Sequence, residues 1–225
     1  MQHTLLHLSL ALLAVGLFVG PGARAIKSAD EADFTPLFDG QTLAGWEGDA
    51  KTFRVEGGAI VAGSASERIP HHAFLVHERE FGDFELRLKA RLVGKGQNAG
   101  VQFRSQRVPD HFEMIGYQCD IGSMPAPSGW QSIWGALYDE SRRRTFLAEP
   151  DRDKLAAVLE PDDWNELVIR CQGPRLEIWV NGVQTVDYTE ADAKIPRTGR
   201  IGLQIHGGEP AVASYKDIRI KSLAP

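Results

Sequence analysis

The sequence predicts an all-β protein, a two-sheet antiparallel β-sandwich, and three observations lead there. From Phe34 onward the chain runs in short stretches rich in β-branched and aromatic residues, separated by Gly, Pro and Asp. Asn181-Gly182 stands between two such stretches, and both central residues of a type I′ hairpin turn need positive φ, which this dipeptide adopts readily. No long amphipathic helix competes. The best helical candidate, Asp151 to Leu159, is short and closed by Pro161, and reads as a turn or two of helix in a connecting loop. Strands without intervening helices bury their apolar faces in two packed sheets or a barrel, of which the sandwich is favoured. The chain shows no fixed-period repeat, which argues against a propeller or solenoid.

In chain order, Phe53 to Glu56 turns at Gly57-Gly58 into Ala59 to Ala62, the first hairpin. Phe84 to Val93, Gly100 to Arg104, Met114 to Ile121 and Ile133 to Tyr138 follow as strands bounded by Gly, Pro or Asp. Glu166 to Cys171 comes next, and Arg175 to Val180 turns at Asn181-Gly182 into Val183 to Tyr188. Arg200 to His206 and Val212 to Lys221 close the set.

At 225 residues with 43% hydrophobic content, the chain can bury one sizeable core, and a single domain is the default. The net charge of -5 gives no electrostatic reason to expect a polyanionic partner, which needs a concentrated basic patch, so nucleic acid is not an expected partner. Arg142-Arg143-Arg144 is the one basic cluster, and Asp139 and Glu140 beside it compensate its charge.

Residues Leu5 to Val19 form an apolar run too short to span a bilayer comfortably, ending in the small-x-small pattern of Ala23-Arg24-Ala25. The expectation is a signal peptide over 1–25, a short leader over 26–33, and the folded domain over 34–225. An uncleaved anchor is the alternative. Export would make the protein secreted or periplasmic, with no membrane insertion after signal cleavage. Cys119 and Cys171 would then be free to bridge, and a disulfide and a pair of buried thiols are both open readings.

Period-two alternation divides each strand into an inward and an outward face. In Val101-Gln102-Phe103-Arg104, Gln102 and Arg104 point outward; in Gln118-Cys119-Asp120-Ile121 the outward pair is Gln118 and Asp120; in Leu203-Gln204-Ile205-His206 it is Gln204 and His206. Were the three strands in one sheet, its outer face would collect amides, a guanidinium, a carboxylate and an imidazole. Such groups suit a hydroxyl-rich ligand and can move protons. Antiparallel sheets ordinarily solvate one face, but solvated faces favour Lys, Glu and Thr. Trp130, Trp134 and Tyr138 lie in the neighbouring segment, where aromatic rings stack on sugars or fill cores. His71-His72 beside Pro70 and His111 after Pro109-Asp110 read as surface turns, and His77 as a strand end without a partner.

Several segments carry a family resemblance in shared order. They are Leu37-Phe38-Asp39-Gly40, Leu43-Ala44-Gly45-Trp46, Phe53-Arg54-Val55-Glu56-Gly57-Gly58, Phe81-Gly82-Asp83-Phe84-Glu85-Leu86, Asn98-Ala99-Gly100-Val101-Gln102-Phe103-Arg104, Gly116-Tyr117-Gln118-Cys119-Asp120, Gly135-Ala136-Leu137-Tyr138, Trp164-Asn165, Asn181-Gly182, and Gly199-Arg200-Ile201-Gly202-Leu203-Gln204-Ile205-His206-Gly207. From Phe34 to the C-terminus the chain resembles the 3-keto-disaccharide hydrolase domains, which implies a concanavalin A-like jelly roll. Two positions depart from the family pattern: Ala99 stands where many members carry Ser, and Gln118-Cys119-Asp120 replaces the usual Glu-x-Gln. The carboxylate thus moves two residues, staying on the same face but sliding roughly 7 Å along the strand.

The resemblance implies an oligosaccharide or glycoside substrate oxidised at C3. The ketone acidifies C2–H, a base removes that proton, the C1 group departs and water adds back. This route needs a base, a proton donor and an oxyanion stabiliser. The expected assignments are Asp120 or His206 as base and proton shuttle, Arg104 as oxyanion stabiliser, and Glu140 as a second acid from a rim loop unless Arg142 or Arg143 pairs with it. Gln102, Gln118 and Gln204 would read hydroxyls, with Trp134, Tyr138 and Arg142 as further substrate contacts. No cofactor is firmly implied; Asp120, His206 and a loop acid could instead hold a divalent cation. The alternative from another class is a non-catalytic carbohydrate-binding module. A two-carboxylate glucanase ranks lower, because no Glu-x-Asp-x-x-Glu run exists and Glu85 and Glu113 are isolated. A Ser-His-Asp hydrolase is disfavoured by the absence of a Gly-x-Ser-x-Gly elbow.

Overall fold

A computed structural model describes residues 31–96, 98–127 and 129–224; the expected signal peptide and most of the leader lie outside the described residues. In chain order the strands are β1 (Thr35–Pro36), β2 (Trp46–Glu47), β3 (Phe53–Glu56), β4 (Ala59–Ser64), β5 (Ala73–Phe81), β6 (Phe84–Gly94), β7 (Asn98–Arg107) and β8 (Met114–Ala126). They continue as β9 (Gly129–Ser132), β10 (Leu137–Glu140), β11 (Phe146–Ala148), β12 (Asn165–Gln172), β13 (Arg175–Val180), β14 (Val183–Thr189), β15 (Gly199–Ile205) and β16 (Ala211–Ser222). One short helix, α1 (Arg152–Ala156), is capped by the Asp151 side chain, which accepts from Lys154 N–H, and it buries Leu155.

Two antiparallel sheets result. The first runs β14-β13-β12-β6-β16-β4-β3 with β1 on β16; the second runs β11-β10-β8-β7-β15-β5-β2 with β9 on β8. The expected sandwich is what forms. Inward residues of the second sheet, among them Val101, Phe103, Cys119, Ile121, Leu203 and Ile205, share one buried cluster with Leu86, Leu88, Ile169, Cys171 and Ile178 of the first. The Asn181-Gly182 hairpin has φ of 47° and 81° at its two central residues, the backbone that a tight turn between right-twisted strands requires. Cys119 and Cys171 are both buried free thiols, and burial raises the pKa of each.

One expected strand is rearranged. Residues 133–136 are a turn rather than strand: Gly135 has φ 72°, Ala136 O accepts from Asp120 N–H, and Gly135 N–H donates to Asp120 O. Pairing resumes only at Leu137 opposite Cys119. This turn brings Tyr138 and Glu140 level with Gln118 and Gly116 on β8.

Candidate functional site

The three strands singled out by alternation are adjacent in the second sheet: β8 pairs with β7 and β7 with β15. In register, Gly100 faces Asp120 on one side and Gln204 on the other, while Gln102 faces Gln118 and Gly202. Strand alternation turns these residues to the face opposite the core. Glycine at position 100 leaves the space that the Gln118 side chain fills, since a Cβ there would sit 2.6 Å from Gln118 Cδ.

Over this face lies a cavity of about 380 Å³, within the size range of small-ligand sites. Five of the expected residues line it: Gln118, Asp120, Tyr138, Glu140 and His206. Gln102 and Gln204 lie on the same face beneath the lining, and both are fully buried. A directional hydrogen-bond chain occupies Gln102: Ser105 Oγ donates to Gln102 Oε1 (2.6 Å), Gln102 Nε2 to Gln118 Oε1 (2.8 Å), and Gln118 Nε2 to Asp120 Oδ1 (2.5 Å). Both amide atoms of Gln204 are buried with no partner among the described residues.

Three expected assignments are corrected. Arg104 does not face the cavity. It has φ 45° at an irregularity in the β7–β8 register after Phe103, and this bulge turns its side chain away. Its guanidinium, almost wholly buried, bonds Asp83 Oδ1 (2.7 Å), Gly82 O (3.0 Å) and Gly173 O (2.8 Å), tying the β5–β6 crossover between the sheets and the β12–β13 turn of the first sheet to β7. Trp134 belongs to the core cluster, since the Gly135 turn points it inward. Arg142 bonds the buried Asp139 and lies over the Tyr117 ring at 4.6 Å. The ion pair weighed for Glu140 does not form either, because Arg142 and Arg143 both pair with Asp139.

Sequence reasoning missed His72, Asn98, Glu113, Ser141 and Arg144, all of which line the cavity. The His72 and His206 rings lie 4.0 Å apart. His206 Nδ1 is 2.7 Å from Gly207 O. A carbonyl only accepts, so Nδ1 carries a hydrogen and Nε2 is the nitrogen left for a ligand. Burial and then the neighbouring His206 lower the pKa of His72.

The acids of the cavity are tuned in the opposite direction. Burial drives the Asp120 carboxyl from its ordinary 3.8 to about 8; the Gln118 hydrogen bond opposes this and the Glu140 charge adds to it. Glu140 is also raised, by burial and then by Glu113. Burial, followed by Glu140 and Asp120, raises the Tyr138 phenol. Arg144 supplies the opposing positive charge, acting on both Tyr138 and Glu140. Among the described residues, no group of three His, Cys, Asp or Glu side chains is placed to hold a metal ion, and no helix is long and apolar enough to cross a membrane.

The arrangement is that of a concanavalin A-like sandwich bearing a polar cavity on one sheet. The chain belongs to the 3-keto-alpha-glucoside-1,2-lyase-like domain family, whose model matches residues 33–221. Among solved structures, one described as a proposed glycosyl hydrolase from Parabacteroides distasonis ATCC 8503 superposes with TM-score 0.62 at 19% identity, over 86% of this chain and 95% of that one. A second from the same organism, described in the same terms, gives 0.60 at 20%, over 84% and 99%. The VIP36 exoplasmic/lumenal domain, in a Ca2+/Man3GlcNAc-bound form, gives 0.60 at 12%, over 87% and 90%. At these identities the likeness is one of fold. A search of curated proteins finds no match.

Proposed function

We propose that this protein cleaves 3-keto glycosides by ketone-assisted elimination followed by hydration, with Asp120 as the base. The observation that carries the reading is a carboxyl raised to about 8, opening into a cavity large enough for a sugar. A carboxylate of that basicity abstracts a carbon-bound proton far better than an ordinary aspartate, provided the proton is already acidified by a neighbouring ketone.

Asp120 takes the C2 proton, and the C2–H electron pair becomes the C2=C3 bond of an enolate whose charge rests on the C3 oxygen. Arg144, replacing Arg104 in this role, stabilises that oxyanion. The enolate collapses to an enone with a C1=C2 double bond, and the C1–O bond breaks with its electron pair on the leaving oxygen. The leaving oxygen takes up a proton from solvent, relayed by His206, whose bare Nε2 accepts it and passes it on, and the water that later adds at C1 returns a proton to solvent. Water then adds at C1, C2 regains a proton, and the sum is hydrolysis. Glu140 holds the charge balance of the Arg144 end, and Gln118 keeps the Asp120 carboxylate in one orientation.

The position of the groups supports this order. His206 follows β15 at the level of Asn98, Asp120 sits one residue pair further along, opposite Gly100, and Glu140 lies beyond it opposite Gly116. His206 and Asp120 therefore stand next to one another on one sheet face, and Arg144 lines the same cavity from the rim loop, which supports placing the leaving oxygen near His206 and C2 near Asp120.

The test is incubation of the purified protein with a 3-keto α-linked disaccharide and its unoxidised parent, with and without chelator. Release of sugar from the ketone alone, with solvent deuterium entering C2, is expected. Cleavage of the unoxidised parent alone would overturn the ketone-assisted route, and binding without cleavage of either would make the protein a carbohydrate-binding module.

A further inference from the structure

A second, shallower groove continues from the cavity. It holds about 280 Å³ and is lined by Lys95, Pro125, Trp130 and Glu209, together with Asn98, Met124 and His206, which it shares with the cavity. Trp130 stands on β9 with 67% of its surface exposed, against 37–39% for the other exposed large apolar side chains. An indole held open on a four-residue strand loses apolar contact that a ligand could restore. At the junction, Asn98 Oδ1 is buried and has no hydrogen-bond partner among the described residues. An amide oxygen removed from water without a donor is costly, and a ligand hydroxyl would satisfy it.

We infer that this groove is the subsite for the leaving-group sugar, with Trp130 as its stacking platform and Asn98 as a hydroxyl acceptor at the glycosidic junction. The inference rests on the proposed cleavage reaction and adds which half of the substrate lies where. The reacting ring must meet Asp120, which lines the cavity and not the groove. His206 lines both, and the bond that breaks is the one between the two rings. The leaving residue therefore extends past His206 toward Trp130. One face of a pyranose is a row of C–H bonds that lies against an indole, while its hydroxyls point sideways to Lys95, Glu209 and Asn98. Glu209 pairs with Arg68, an exposed contact at the groove edge. The specificity expected is for a second sugar, or another ring with an apolar face, on the C1 oxygen.

The experiment compares a 3-keto disaccharide with the methyl 3-keto glucoside, which lacks the second ring, in wild type, Trp130→Ala and Trp130→Phe. Trp130→Ala should lower kcat/KM for the disaccharide about tenfold, as loss of one aromatic contact does, and leave the methyl glucoside within twofold. Trp130→Phe should recover most of the loss. Equal losses on both substrates, or none on either, would overturn the subsite. Calorimetric binding to Asp120→Asn protein separates this from failure of the cleavage reading: the disaccharide should bind more tightly than the methyl glucoside, and the difference should vanish when Trp130→Ala is added. If wild type cleaves neither substrate yet that difference is present, the cleavage reading falls and the groove stands. If the two ligands bind equally well, the groove falls whatever the turnover.

Discussion

Gln118 Nε2 donates to Asp120 Oδ1 at 2.5 Å, and its own Oε1 accepts from Gln102, which is held in turn by Ser105. Every donor in this chain points toward the carboxyl. A carboxylate that accepts such a bond is favoured over its neutral acid, so the chain restrains the upward push of burial on Asp120. Gln118→Leu removes the donor and leaves the burial. The pH at which kcat/KM reaches half its maximum should then move from near 8 upward by about one unit, and activity at pH 7 should fall roughly tenfold. Ser105→Ala, one link further away, should shift the profile in the same direction by less. An unshifted profile in Gln118→Leu would show that Asp120 is not the group whose ionisation limits the rate.

Asp120→Asn keeps the shape of the side chain and removes the base. Turnover should fall by about 10² to 10⁴, the range for loss of a general base, with circular dichroism unchanged. The same variant reads the linkage between charge and stability. A carboxyl whose folded pKa of about 8 exceeds its unfolded value of 3.8 binds more protons in the folded state between those limits. Its stabilising contribution is complete below about pH 4 and is lost as pH rises to about 8. Wild type should therefore lose stability relative to Asp120→Asn across this window, by on the order of a few kcal/mol. Melting curves of both proteins at pH 4 to 8 check it: a gap that stays constant with pH would mean that Asp120 is ionised in the fold throughout.

Arg104 is expected to matter to the fold and not to the chemistry. Removing one partner of a buried ion pair leaves the other charge unpaired, which costs about 3–5 kcal/mol. Arg104→Ala should therefore show a large drop in the denaturation midpoint, since Asp83 and the carbonyls of Gly82 and Gly173 all lose their donor. The fraction that remains folded should keep the wild-type pH profile. A changed profile with unchanged stability would return Arg104 to the active centre.

The case of Arg104 shows where the sequence stops being readable. Alternation placed Gln118, Asp120 and Gln204 on the outer face correctly because their strands run unbroken through those residues. At Arg104 a non-glycine residue with φ 45° breaks the period, and nothing in Phe103-Arg104-Ser105 announces a bulge. His72 escaped notice for a different reason. Beside Pro70 it reads as a surface turn, and only the pairing of β5 with β15, distant in sequence, brings its ring to 4.0 Å from that of His206. Among Arg142, Arg143 and Arg144 the choice is made by backbone: positive φ at Ser141 and Arg144 sends the first two guanidinium groups to Asp139 and the third to the cavity. The strand pattern carries the sheets, and the turns that aim individual side chains are decided by contacts distant in sequence.

That loop supports the last prediction. Asp139 is fully buried and accepts from both Arg142 and Arg143; Arg143 continues to Glu190, which accepts from Tyr117 Oη at 2.7 Å. Burial would raise the Glu190 carboxyl, but the bonds from Arg143, Asp192 N–H and Tyr117 hold it at about 2, so the clamp stays charged down to strongly acidic pH. Asp139→Ala leaves Arg142 without its carboxylate and Arg143 with Glu190 alone, and should cost about 1–3 kcal/mol of stability, with KM raised because Glu140 and Arg144 are no longer held. Arg144→Ala should do the reverse. Its side chain is solvent-exposed at the cavity rim, so stability should change by less than about 0.5 kcal/mol, while kcat falls roughly a hundredfold if it stabilises the C3 oxyanion. Measuring stability and kinetics on both variants separates the clamp from the group it presents: unchanged kcat in Arg144→Ala would remove that residue from the reaction and leave the loop a structural rim.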